Sequence, residues 1–132
     1  MTFNFYIKRD STLPTLKFPI DQEFLDKFGI LNEDMNNAAV TFSMYNIDTD
    51  EYHIANVGGR IKYRNDALYS AIAPKYSLEY DFKLSDTSVT GNYYGEFKLD
   101  LLNSENPMKI TIPNTGVMSI TITDTITKTS LY

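Results

Sequence analysis

Apolar and polar residues alternate with period two along much of this chain, most cleanly from Tyr76 to Leu84, Phe97 to Leu101 and Met118 to Ile122. Such alternation marks strands with one face buried. Tyr76, Leu78, Tyr80, Phe82 and Leu84 fall on one face, and Lys75, Ser77, Glu79, Asp81 and Lys83 on the other. This predicts a strand that is dry on one side and wet on the other. Further strands are expected over 93–102, 108–112 and 117–123, separated by Asn103 to Pro107 and by Pro113-Asn114-Thr115-Gly116.

The first half carries the same period in shorter runs. Phe3, Phe5 and Ile7 alternate with Asn4, Tyr6 and Lys8, and after a turn at Arg9 to Thr12 the residues Leu16, Phe18 and Ile20 share a face. Pro14 and Pro19 bracket this second run, and because proline cannot donate to a ladder the strand belongs at a sheet edge. Asp21 to Asn37 lacks strand character: Phe24, Leu25 and Phe28 suit a helical turn or two capped by Asp21 and ended by Gly29, and the rest reads as loop. Ala38, Val40, Phe42 and Met44 then mark a breaker-free strand expected at the centre of a sheet. After a turn at Asn46 to Glu51, the segments Tyr52 to Ala55 and Arg60 to Tyr63 read as a hairpin about Val57-Gly58-Gly59. Asn65-Asp66 reads as a turn, and Ala67 to Ala73 as a weak strand or short helical turn before Pro74.

With 132 residues the chain fits one domain, residues 1–132, large enough to bury roughly two-thirds of its unfolded surface. Ten Tyr and eight Phe without a Trp suit pleated, half-buried surfaces. The absence of cysteine removes disulfides, thiolate nucleophiles and Cys-type metal sites. A net charge of −5 disfavours nucleic-acid binding. Met1 to Asp10 carries charge where a signal peptide needs an apolar run, and no segment approaches the roughly 20 apolar residues of a membrane span. No membrane partner is expected.

Candidate chemistry is sparse. Asn46 to Glu51 starts like a calcium loop, but Glu51 stands where the turn glycine belongs and Val57 where a bidentate carboxylate belongs, so it reads as a solvated turn. His53 is the sole histidine, without partners for a metal cluster or a hydrolytic triad, and its place between Tyr52 and Ile54 predicts an exposed sheet-face residue. Glu79, Asp81, Glu96 and Asp100 fall on polar strand positions, where carboxylates solubilise a sheet and face Lys83 and Lys98 across it. Gly58-Gly59-Arg60 is too short for a phosphate cradle. The same-parity row Thr121, Thr123, Thr125, Thr127 and Thr129 is explained by β-propensity. No catalytic, cofactor-binding or metal-binding residue is assigned, and no cofactor is expected.

Two features remain. Tyr6, Tyr45 and Tyr94 occupy polar-parity positions, and tyrosine is enriched at interfaces, so together they form a candidate interaction surface for a subunit contact or a stacked sugar. Gly91-Asn92-Tyr93-Tyr94-Gly95-Glu96-Phe97 places Tyr93 two residues after Gly91 at the start of a strand, the arrangement of a tyrosine corner. Gly95 stands where antibody domains carry a disulfide cysteine.

With Phe5 to Leu16 and Ala39-Val40-Thr41-Phe42-Ser43-Met44, this segment resembles the N-terminal immunoglobulin-like domain of tailed-phage baseplate upper proteins. The likeness covers most of the chain in order, through fold-determining residues. Residues 21–37 form a longer link than that family has between its second and third strands, and a single domain without the family's fibrous extension is expected. The resemblance implies an all-β, immunoglobulin-like sandwich of about seven to nine mostly antiparallel strands with one short helical or loop insertion. It implies a virion structural protein, made in the host cytoplasm, that docks onto other virion proteins in a symmetric assembly without catalysis. Baseplate or tail, head decoration and head-to-tail accessory roles all fit. A carbohydrate-binding module for host adsorption is the alternative.

Overall fold

Phe42 and Tyr80 stack with ring centroids 4.6 Å apart, and they belong to different sheets. The computed structural model describes residues 2–63, 76–102 and 107–125, and these form a two-sheet β-sandwich with nine strands. In chain order they are β1 (Thr2–Lys8), β2 (Leu16–Ile20), β3 (Ala38–Asn46), β4 (Glu51–Gly58) and β5 (Arg60–Tyr63). There follow β6 (Tyr76–Tyr80), β7 (Gly91–Leu101), β8 (Met108–Ile112) and β9 (Val117–Thr123).

The larger sheet runs β1-β9-β7-β3-β4, with β8 also on β7, and the smaller runs β2-β6-β5. Every pairing is antiparallel except β1 with β9. β9 pairs with Gly91 to Gly95 and β8 with Phe97 to Leu101, so these two strands lie end to end along one side of the long β7. Pro113 to Gly116 forms the break between them. The breaker-free β3 sits between β7 and β4, and the proline-bracketed β2 pairs with β6 alone among the described residues, as the sequence predicts.

The core lies between the sheets. Leu16, Phe42, Leu78, Tyr93, Phe97, Leu99 and Ile120 have no exposed surface. Phe5 and Phe18, on the apolar parity of β1 and β2, are only half-buried, but they pack on Phe82 and Phe3 with centroids 5.7 and 5.1 Å apart.

Two helices join β2 to β3. In α1 (Gln22–Phe28) the Asp21 carboxylate accepts from the Phe24 amide at 2.9 Å, and Gly29 takes φ 65° at the C-terminus. That is the cap pair expected from the sequence. The stretch expected as loop contains α2 (Asn32–Asn36), whose start is held by the Asp34 carboxylate accepting from the Leu31 amide at 2.9 Å. Its single buried residue, Met35, gives no repeating pattern to read.

Three expectations are corrected. The segments flanking Gly58-Gly59 form no hairpin: β4 pairs with β3 and β5 with β6, so the chain crosses between sheets there. The crossing needs a close approach, because a Cβ on Gly59 would lie 2.8 Å from the Glu79 carbonyl oxygen. Next, β6 is not wet on one side. Ser77 and Glu79 are 3% and 2% exposed, since β6 is the middle strand of its sheet and the Arg60 side chain lies along it. The strand ends at Tyr80, and Leu84–Thr87 is a 3₁₀ turn. Finally, His53 is half-buried, because β4 carries two bulges opposite Tyr45 and Ser43. The first turns Tyr52 outward and Ile54 inward. The readings at Asn65-Asp66, Ala67 to Ala73, Thr127 and Thr129 lie outside the described residues. No helix among the described residues is long and apolar enough to cross a membrane.

Candidate functional site

Register on the outer face of the larger sheet decides which tyrosines meet. Tyr94 of β7 lies opposite Tyr45 of β3, and Tyr45 lies opposite Tyr52 of β4. The Tyr45 and Tyr52 rings meet edge-to-face, with centroids 5.3 Å apart and planes at 74°. Tyr52 is 61% exposed and Tyr94 45%. Tyr6 shares the face but falls one row away, opposite Thr121, which in turn faces Asn92. The structure thus joins Tyr45 to Tyr94, leaves Tyr6 apart and adds Tyr52. The bulge that turns Tyr52 outward carries no composition signal, so only the structure identifies this third ring.

Between these rings and the next row lies a groove of about 270 Å³ lined by Ser43, Tyr45, Tyr52, Tyr94, Gly95 and Glu96. A second, of about 210 Å³, continues past Tyr94 to Pro113, Gly116 and Val117, where β8 gives way to β9. Tyr94, Gly95 and Glu96 line both. The floor is low for a reason: Ser43 is small, lies opposite Glu96, and is tied down by accepting from the Asn56 amide at 2.9 Å. The Tyr45 hydroxyl donates to Asp50 in the adjoining turn. Glu96 is half-buried and makes no salt bridge among the described residues.

Tyr93 points the other way, into the core. Its ring has no exposed surface, its hydroxyl donates to the Val89 carbonyl at 2.7 Å, and burial raises its pKa above the usual phenol value. Gly91 stands before it at φ 150°. His53 packs against the Tyr93 ring at 5.6 Å with its Nε2 2.9 Å from the Asp86 carbonyl oxygen. A Cβ on Gly95 would lie 2.6 Å from Ile120 Cδ1 and 3.1 Å from Met118 Sδ, so this position is closed to any side chain without repacking.

Two of the carboxylates share one cation. Glu79 is bound by Arg60, with Nε and Nη2 2.9 and 2.7 Å from Oε1, and the same guanidinium reaches Asp81. The sequence expectation that Glu79 solubilises a wet face is therefore replaced by an ion pair along a buried strand. Lys98 lies opposite Thr41 and Thr111, and Lys83 lies outside the strands. No group of three or more His, Asp or Glu residues that could hold a metal ion occurs among the described residues.

No protein-family model, curated protein or solved structure matches this chain.

Proposed function

We propose that this chain is a non-catalytic docking module of a phage particle, binding other virion proteins through the outer face of its larger sheet. The observation that carries the reading is the convergence of Tyr45, Tyr52 and Tyr94 on one exposed face, since aromatic residues are over-represented where proteins meet. The strand order supports it: with β1 and β8 set aside, β2-β6-β5 corresponds to B-E-D and β9-β7-β3-β4 to G-F-C-C′, the connectivity of an immunoglobulin-type sandwich. On that lettering β7 is strand F, and the Tyr93 hydrogen bond to Val89 has the form of its tyrosine corner. Resemblance to the immunoglobulin-like domain of baseplate upper proteins supplies the phage context. Mass spectrometry of purified particles tests this directly: the chain is expected at a fixed copy number relative to the major virion proteins, and its absence overturns the reading.

A second reading, a carbohydrate-binding module for host adsorption, draws on the exposed rings of Tyr52 and Tyr94 beside a groove. Glycan-array binding lost in Tyr94→Ala supports that reading, and an array without signal removes it.

A further inference from the structure

The groove between the tyrosines has a chemical character beyond being aromatic. Of its six lining residues only Glu96 is charged, and the continuation past Tyr94 adds no basic group. Glu96 is half-buried, with no cation paired to it among the described residues. Ser43 on the floor is already engaged with Asn56. The adjoining turn brings Asp50 to the Tyr45 hydroxyl at one end. The lining thus carries one carboxylate and no cation, with Lys98 the next outward residue after Glu96 along β7.

The rings reinforce this. Planes at 74° make a corner, where a flat platform would be needed to stack a sugar. An aromatic face attracts cations through its quadrupole. The Tyr45 hydroxyl donates to the Asp50 carboxylate, a charge-assisted bond that pushes electron density back into the ring. A cation seated against these rings would also meet the Glu96 carboxylate, which makes no salt bridge among the described residues.

We propose that this groove takes one organic cation, the guanidinium or ammonium group of an arginine or lysine side chain presented by the docking partner. The proposal rests on the docking reading and names what the partner must offer: a protruding basic residue on an otherwise neutral or apolar patch. Guanidinium suits the site best, because its plane can lie on a tyrosine face while its edge donates to Glu96.

The test is a titration of the full-length chain followed by the NMR resonances of its tyrosine rings. The probes are Nα-acetyl-arginine methylamide, the uncharged citrulline analogue of the same shape, and maltose. The arginine derivative is expected to give saturable shifts at Tyr45, Tyr52 and Tyr94, with those of Tyr63 unchanged. The citrulline analogue is expected to bind at least about fivefold more weakly, and Glu96→Gln to weaken arginine binding by a similar factor, roughly the loss of one charge-assisted contact. An unchanged amide spectrum shows that this variant remains folded. Equal binding of arginine and citrulline, binding of maltose alone, or no shift up to about 50 mM probe overturns the proposal. Particle content is a separate readout. A chain present in virions whose groove ignores arginine loses this inference and keeps the docking reading, whereas a chain absent from virions that binds arginine does the reverse.

Discussion

The hydroxyl of Tyr93 donates to the carbonyl of Val89, four residues upstream, at 2.7 Å from a ring with no exposed surface. This bond ties the start of β7 to the segment entering it, next to the exposed row at Tyr94. Tyr93→Phe removes the donor and leaves a partly buried carbonyl unpaired. The expected loss of stability is about 1 kcal/mol or more, measured by urea denaturation. A variant as stable as the parent would show that the bond contributes nothing.

Gly58 and Gly59 are adjacent and should respond oppositely to alanine. A Cβ at Gly59 meets the Glu79 carbonyl oxygen at 2.8 Å, a backbone atom that cannot swing aside, whereas nothing lies within 4 Å of one at Gly58. Gly59→Ala is expected to cost about 1–3 kcal/mol through overpacking. Gly58→Ala should be neutral, or stabilise by up to about 1 kcal/mol by restricting the unfolded chain. Thermal melts of the two variants check this, and equal effects would mean that the crossing between sheets is looser than the geometry here.

Tyr80 gives an alkaline signature. Its hydroxyl donates to Asp86 at 2.6 Å, and burial, with that carboxylate, holds its pKa well above the usual phenol value. The unfolded chain gives up this proton near pH 10, while the native chain keeps it. The contribution to stability is therefore complete below about pH 10 and is lost as pH rises from there through the native value. Tyr76 and Tyr93 are shifted in the same direction by burial. Melting temperatures should fall between about pH 9 and pH 11, with a shallower fall in Tyr80→Phe; identical slopes would contradict the assignment.

Arg60 anchors the opposite sheet. It holds Glu79, which is 2% exposed, and its hydrogen bond to Asp81, helped by Thr15, lowers the pKa of that carboxyl. Arg60→Ala leaves a buried carboxylate without its cation, and a loss of stability is expected by chemical denaturation at neutral pH. Asp81 is itself largely exposed, so its part is small and screened by salt. That part is present above the ordinary carboxyl pKa and fades as pH falls through the lowered one. A neutral Arg60→Ala would mean that water serves Glu79 equally well.

Much of this arrangement is legible in the sequence because period-two alternation and caps are local signals. The limits of β2, β8 and β9, the Asp21–Gly29 caps and the edge position of β2 all follow from residues within a few places of each other. What escapes is set by distant partners. Glu79 reads as a solvent-facing carboxylate until β5 brings Arg60 beside it, and Gly58-Gly59 reads as a hairpin because a chain crossing and a tight turn use the same residue. The interaction surface divides in the same way. Tyr45 and Tyr94 are visible as outward tyrosines, but their pairing depends on register between strands about fifty residues apart. Tyr52 joins them only through a bulge.

The most direct test of the docking account is photo-cross-linking inside assembled particles, with a photoreactive phenylalanine at Tyr94 and, as the control, at Tyr63 on the smaller sheet. The account predicts that the Tyr94 position joins the chain covalently to another virion protein and that the Tyr63 position does so far less. Particles that lack the chain, or cross-links formed from Tyr63 and not from Tyr94, would contradict it.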